Sequence, residues 1–142
     1  LNKPVLLHTK DREGDIADII RDFPCPVIVH WYSGNETDLK KFIDLDCFFT
    51  LGPDVSFAPG GLLPGSIPLD RLLTETDGTE AIKWAYNEHG IRCESITGAD
   101  DPKLICKTLT AEINCLAVRS GMDQGTVSHR ISSVFSSFFM LS

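Results

Sequence analysis

Two histidines and one aspartate stand at or just after the ends of short apolar runs in this sequence. They are His8, after PVLL, His30, after PVIV, and Asp77, after LLTET. Imidazole and carboxylate together suit zinc, or manganese where more oxygens take part. Their spacing is not that of a compact metal motif, so a metal site requires that the fold bring the three together.

The elements around these residues predict how they would meet. Four apolar runs, each continuous as in a buried parallel strand, alternate with helical segments in the order β-α-β-α-β-loop-β-α-α-α. In such sheets the chemistry collects at the carboxyl ends of the strands, where His8, His30 and Asp77 stand. Taken alone, His8 is better interpreted as a hydrogen-bonded histidine at a sheet edge. The coincidence of all three favours a site.

Helical spacing of apolar residues predicts five helices. They cover 13–21, 35–44 and 80–89, then a segment that begins at 101–102 and a last one that includes 127–138. The predicted buried face of the fourth consists of Ile105, Leu109, Ile113 and Leu116. The Gly- and Pro-rich residues 52–66 are predicted to form a long loop.

Two charged residues stand close to the three candidate ligands. Lys10 follows His8 by two positions and can hold a phosphate or a developing oxyanion, or belong to a solvated loop. Glu75 lies two residues before Asp77, on the same face of an extended strand. It can orient a metal-binding histidine from behind, or be a buried and paired carboxylate.

The stretch HWYSG at 30–34 offers further candidates for substrate binding. Trp31 can stack on a base or a sugar ring, or pack the junction between strand and helix. Ser33 lies beside it, and Gly34 allows a turn into the following helix, whose free N–H groups can receive an anion.

Composition limits the class of protein. With 142 residues, 42% of them hydrophobic and 23% charged, the chain is predicted to be a single soluble domain spanning 1–142. The net charge of −7 argues against broad electrostatic capture of nucleic acid, but a local site can still bind one phosphate. Five cysteines without a C-x-x-C pair, most in apolar surroundings, predict buried reduced thiols and a cytoplasmic location away from any membrane.

Four motifs in order resemble the TatD family of metal-dependent deoxyribonucleases. They are HTKD at 8–11, HWYSG at 30–34, FTLG at 49–52 and LLTETDG at 72–78. The resemblance extends over essentially the whole chain. It implies an α/β fold, a TIM-type (β/α)8 barrel of about 250 residues. This chain would be the C-terminal half, strands five to eight plus the final helices. It would lack the opening H-x-H pair and the bridging glutamate of the family.

The resemblance also assigns roles to residues. His8 and His30 correspond to the histidines that bind a second metal ion, and Asp77 to the carboxylate that binds the first and activates water. The implied cofactors are divalent ions (Zn, Mg or Mn). The sequence departs from the family at Lys10, where arginine is usual, and at Thr79, where proline is usual. Residues 80–84 have no clear match.

The function implied is hydrolysis of DNA phosphodiester bonds with a metal-activated water. Two alternatives remain: hydrolysis of an amide or ester, and a metal-deficient barrel fragment that serves as a binding or scaffold module. Four strands cannot close a barrel. We therefore expect the isolated chain to be weakly active or inactive, and to form a homo-oligomer or associate with an N-terminal half.

Overall fold

The computed structural model describes residues 3–57, 63–90 and 101–139. Four strands in these ranges form one parallel sheet in the sequential order β1-β2-β3-β4. The strands are β1 (Val5–His8), β2 (Val27–His30), β3 (Phe48–Leu51) and β4 (Leu72–Thr74). The predicted α/β architecture with a parallel sheet is confirmed.

Helices follow the strands and continue beyond the last of them. They are α1 (Glu13–Ile19), α2 (Glu36–Asp44), α3 (Leu63–Ser66), α4 (Gly78–Glu88), α5 (Pro102–Ser120) and α6 (Gln124–Phe139). Short 3₁₀ turns occur at Ile20–Asp22, Pro53–Ser56 and Leu69–Arg71. The prediction of a long loop over 52–66 is wrong at Pro53–Ser56 and Leu63–Ser66, and residues 58–62 of it lie outside the described part of the chain. Pro53 presets the backbone of one turn there, and burial of Val55 anchors it.

Apolar side chains pack on both faces of β2, β3 and β4, whereas Leu6 and His8 of β1 are exposed. One face meets α1, α2 and α5 in a large core that includes Val29, Phe42 and Phe49, each fully buried. On the opposite face, three strand residues meet two residues of α6: Ile28, Phe48, Leu73, Val134 and Phe138. The rings of Phe48 and Phe138 meet edge to face at 4.4 Å.

The buried face of α5 is rotated from the predicted one. Leu116 is buried as predicted, but Ile105, Leu109 and Ile113 are only half-buried. The buried residues of α5 other than Leu116 are instead Leu104, Thr108, Glu112 and Ala117. The helix packs against the turn at 53–56 as well as against α4 and β4. The buried face of α5 is therefore determined by several neighbouring elements and not by the hydrophobicity of its residues alone.

The expectation of buried thiols holds for one cysteine. Cys47 is buried, and burial raises the pKa of its thiol to about 11. Cys25 and Cys115 are half-buried and Cys106 is exposed, because apolar neighbours in sequence do not decide which way a side chain faces. All four are free thiols. Cys93 lies outside the described residues.

No helix in the described part of the chain is long and apolar enough to cross a membrane.

Candidate metal and substrate site

A pocket of about 490 Å³ opens at the carboxyl ends of the strands. Its lining consists of His8, Thr9, Lys10, His30, Trp31, Ser33, Asp54, Asp77, Ala81 and Trp84. The three predicted metal ligands share this one pocket, and three of the predicted neighbours line it with them.

The parallel register of β1 and β2 places the two histidines together. His8 pairs directly with His30 across the ladder, and their ring centroids are 4.1 Å apart. His30 is buried whereas His8, on the edge strand, is exposed. The pocket is therefore lined by one buried imidazole, that of His30, and one solvent-accessible imidazole, that of His8.

His30 lies between two carboxylates. Its Nδ1 is 2.8 Å from Oε2 of Glu75, and its Nε2 is 3.8 Å from Oδ2 of Asp77. The Glu75 contact is an ion-pair contact and not a hydrogen bond of regular geometry, since Nδ1 has no hydrogen-bond partner among the described residues. A negative charge beside Nδ1 still favours the tautomer that carries its proton there, which leaves the lone pair of Nε2 for a metal ion. The imidazole is thus oriented towards Asp77.

Glu75 stands behind His30 and is held on its other oxygen as well. Oε1 accepts hydrogen bonds from the hydroxyl of Thr50 and, at 3.2 Å, from the backbone N–H of Trp31. Burial raises the pKa of Glu75, and the Thr50 hydrogen bond, His30 and the Trp31 N–H oppose that rise. This network ties β2, β3 and the end of β4 together beneath the pocket.

Asp77 owes its position to a left-handed turn. Its φ is 50° and that of the next residue, Gly78, is 84°. Aspartate tolerates this region better than most residues with a side chain, and glycine adopts it freely. The chain therefore turns abruptly into α4, and the Asp77 carboxylate remains 55% exposed beside the pocket.

Trp31 is held by several constraints. Its φ of 39° is strained, at a cost of about 1–3 kcal/mol. Its indole N–H donates to Oδ1 of Asp54 at 2.9 Å, and its ring fills the space over Gly52, where a Cβ would lie 2.2 Å from Cε2. Burial raises the pKa of Asp54, opposed chiefly by this indole hydrogen bond. Trp84 completes the wall, with its ring 5.8 Å from that of Trp31.

The other residues of the HWYSG stretch divide between pocket and core. Ser33 lines the pocket. Tyr32 is buried, and its hydroxyl donates to the backbone oxygen of Asn35 at 2.7 Å. Gly34 lies outside the lining, and a Cβ there would come within 2.6 Å of Oη of Tyr32. The structure therefore accounts for Gly34 by close packing.

The imidazole and carboxylate groups of the pocket are of the chemical types that bind a divalent ion. Nε2 of His30 and an oxygen of Asp77, 3.8 Å apart, are close enough to share one ion at the usual ligand distances of about 2.0–2.2 Å. Within the described residues, however, no group of three or more His, Cys, Asp or Glu side chains is placed to hold an ion. This pair, with His8 nearby, is thus an incomplete ligand set.

Sequence reasoning missed three residues of the site. Thr50 belongs to the FTLG motif but received no role, and Asp54 gave no signal because it lies in a Gly- and Pro-rich stretch. Trp84 could have been found. Asp77, Ala81 and Trp84 are spaced i, i+4, i+7, which places them on one face of the helix that begins there.

Fold and pocket together define an α/β protein with imidazole and carboxylate groups at the carboxyl ends of parallel strands, where enzymes of this class carry their active sites. The sequence model of the TatD related DNase family matches residues 1–139. The chain belongs to this family, and the resemblance seen in its motifs is confirmed.

Individual relatives agree with this assignment. A protein of Escherichia coli K12 described as the uncharacterized metal-dependent hydrolase YcfH is 34% identical over 83 residues, 54% of this chain and 31% of that protein. The crystal structure of YJJV, a TatD homolog from Escherichia coli K12, matches 98% of this chain and 51% of its own, with a TM-score of 0.70 at 17% identity. A TatD family hydrolase from Entamoeba histolytica matches 96% of this chain and 50% of its own, with a TM-score of 0.68 at 13% identity. This chain therefore has the fold of the matched parts of the two solved proteins and spans about half their length, whereas its match to YcfH covers about a third of that protein.

Proposed function

We propose that this chain is part of a metal-dependent hydrolase that cleaves DNA phosphodiester bonds. We propose further that it supplies the C-terminal half of a (β/α)8 barrel, strands five to eight. Three findings support the proposal: the family is described as TatD related DNase, the relative YcfH is described as a metal-dependent hydrolase, and the chain spans about half the length of its solved relatives. Four parallel strands in sequential order are what half of such a barrel contains.

The orientation of His30 is the observation that carries the proposal. Glu75 holds Nδ1 at 2.8 Å, so that Nε2 faces the carboxylate of Asp77. A histidine in a merely structural role needs no such pairing of a half-buried carboxylate behind it with an exposed carboxylate in front. We infer that His8, His30 and Asp77 would hold a divalent ion (zinc, magnesium or manganese).

In the proposed hydrolysis, the side chains in and beside the pocket have different roles. A divalent ion, when bound, supplies Lewis acidity and lowers the pKa of a water molecule. The carboxylate of Asp77, half exposed at the pocket, accepts the proton of the attacking water. The ammonium group of Lys10 binds the phosphate next to the scissile bond, and Glu75 keeps the His30 imidazole in the correct tautomer.

A second function has one observation in its favour. The described residues offer no group of three or more ligands placed to hold an ion. A metal-deficient barrel fragment that binds DNA or a second protein segment would have this property. Elemental analysis of the purified chain separates the two functions, because a scaffold would hold far less than one ion per chain.

Cleavage of labelled single-stranded DNA by the 142-residue chain, with and without added metal, tests the proposal. We expect slow, metal-dependent cleavage that is lost in Asp77→Asn, together with self-association or binding to an N-terminal half. Robust turnover by a monomer would contradict the half-barrel. Metal-dependent cleavage of an amide or ester panel without cleavage of DNA would instead identify an amidohydrolase.

A further inference from the structure

Both tryptophans of this chain line the same pocket. The sequence contains two, Trp31 and Trp84, and they come from the end of β2 and the middle of α4. Their ring centroids are 5.8 Å apart and their planes meet at 74°. The pocket therefore contains a wall of two indoles beside the histidines and Asp77, which we call the indole wall.

Trp31 is a rigid part of this wall. Its indole N–H donates a hydrogen bond to Oδ1 of Asp54, and its backbone N–H donates one to the hydroxyl oxygen of Thr50. Its ring fills the space over Gly52. These contacts hold the residue at a positive φ that side chains rarely adopt. A side chain that serves only to fill space needs neither the strained backbone nor the half-buried hydrogen-bond partner.

Trp84 leaves apolar surface uncovered at the pocket. The residue is 53% exposed, although the neighbouring helix residues Ile82 and Ala85 are fully buried. An edge-to-face pair brings the edge of one ring to the face of the other, so it cannot cover both faces of both rings. A planar group entering the pocket can therefore stack on an indole face without displacing Trp31.

We propose that Trp31 and Trp84 stack against a nucleobase of the substrate and thereby determine which substrates the pocket accepts. This inference rests on the proposed function. Lys10, in the same pocket, would bind a phosphate of the same strand. The net charge of −7 gives the chain little general attraction for DNA, so affinity must come from such local contacts.

Tryptophan emission offers a direct test, because both emitters belong to the indole wall. The chain is titrated in the presence of a chelator with a short single-stranded oligodeoxynucleotide and, separately, with an abasic deoxyribose-phosphate strand of the same length. We expect the base-containing strand to quench the emission and to bind more tightly. Trp84→Ala should weaken its binding roughly five- to 150-fold, the range that corresponds to loss of one stacked base. Trp84→Phe, which keeps a ring, should restore most of the affinity.

Phe139→Ala is the matched control. Phe139 is also 53% exposed, but it lies on α6 and outside the pocket lining, so its removal should leave binding unchanged. Thermal unfolding of each variant checks that the fold persists. Equal affinity for the abasic strand, or equal weakening by Phe139→Ala, would overturn the inference. If base-dependent binding persists while metal-dependent cleavage is absent, the inference stands and the proposed function fails.

Discussion

Nδ1 of His30 and Oε2 of Glu75 lie 2.8 Å apart at the base of the pocket, joining the end of β2 to the end of β4. The contact places a carboxylate oxygen beside Nδ1, so that Nε2 is the ring nitrogen that faces Asp77. It also spans 45 residues of sequence, so that a potential metal ligand depends on a carboxylate from a distant strand.

Replacing Glu75 by glutamine tests this contact. An amide keeps the shape but can turn its NH₂ group towards Nδ1, which would favour the tautomer with the proton on Nε2. We expect Glu75→Gln to weaken metal binding about 10–100-fold, as loss of such partners does elsewhere. Calorimetric titration with Zn²⁺ measures it. Glu88→Gln, at an exposed position on α4, is the control and should bind as the original chain does. Unchanged affinity in Glu75→Gln would show that the contact has no part in metal binding.

Asp77→Asn removes the proposed proton acceptor with little disturbance of the backbone. Asparagine tolerates the left-handed conformation that Asp77 adopts at φ 50°, so α4 should still begin there. We expect metal-dependent DNA cleavage to fall at least 100-fold, the lower end of general-base effects. Initial rates measure the loss, and Asp70→Asn at an exposed turn is the control. Retained cleavage would exclude the assigned role.

Gly52→Ala should displace the Trp31 ring by a steric clash and not by backbone strain. The backbone of Gly52 is extended (φ −83°) and suits any residue, but the new Cβ would lie 2.2 Å from Cε2 of the indole. We expect a loss of about 1–3 kcal/mol in the free energy of unfolding, as for other overpacked sites, and a shift of tryptophan emission. Gly65→Ala has nothing within 4 Å of its new Cβ and should change neither. Similar behaviour of the two variants would argue against a tightly held Trp31.

Glu112 makes stability fall as pH rises. The residue is fully buried on α5, and neither carboxyl oxygen makes a hydrogen bond of regular geometry with the described residues. Burial, followed by the nearby Glu75 and Asp54 charges, raises its pKa to about 9 against a smaller opposing effect of the Glu75 backbone N–H. In the unfolded chain the Glu112 carboxyl has its ordinary pKa of 4.5. The contribution of Glu112 to the free energy of unfolding is therefore fully present below pH 4.5. It is lost between pH 4.5 and 9, by about 1.4 kcal/mol per pH unit.

Urea unfolding of the chain and of Glu112→Gln at pH 5 and pH 8 measures this effect. Glutamine keeps the shape and cannot ionise, so we expect the variant to lose less free energy of unfolding between the two pH values. Parallel pH profiles for the two proteins would mean that Glu112 ionises in the fold without penalty.

Leu6 is predicted to contribute to self-association. It is 53% exposed on β1, which pairs with β2 on one side and with no other strand in the described sheet. Exposed apolar edge strands template pairing between chains, and a charge on them opposes it. We expect Leu6→Lys to shift the chain towards monomer in sedimentation experiments. Val118→Lys, at an 84% exposed position on α5, should not. Equal association of both variants would place the interface elsewhere.

Local patterns in the sequence predicted the four strands, five of the described helices and the parallel α/β sheet, but they missed α3 and the 3₁₀ turn at Pro53–Ser56. The run before His30 and the segment after Asp77 predicted a strand and a helix, because period and apolar content are properties of neighbouring residues. The carboxyl ends of parallel strands meet at one rim whatever the loops do, so the gathering of His8, His30 and Asp77 in one pocket followed from strand order.

Tertiary structure alone decided the finer arrangement. The burial of Glu112 instead of Ile113 depends on how α5 packs against the elements around it, among them the turn at 53–56, α4 and α6. The support of Glu75 by Thr50, and of Trp31 by Asp54, joins residues 25 and 23 positions apart through space. Such contacts arise from packing between elements, and no period or motif within a single element encodes them.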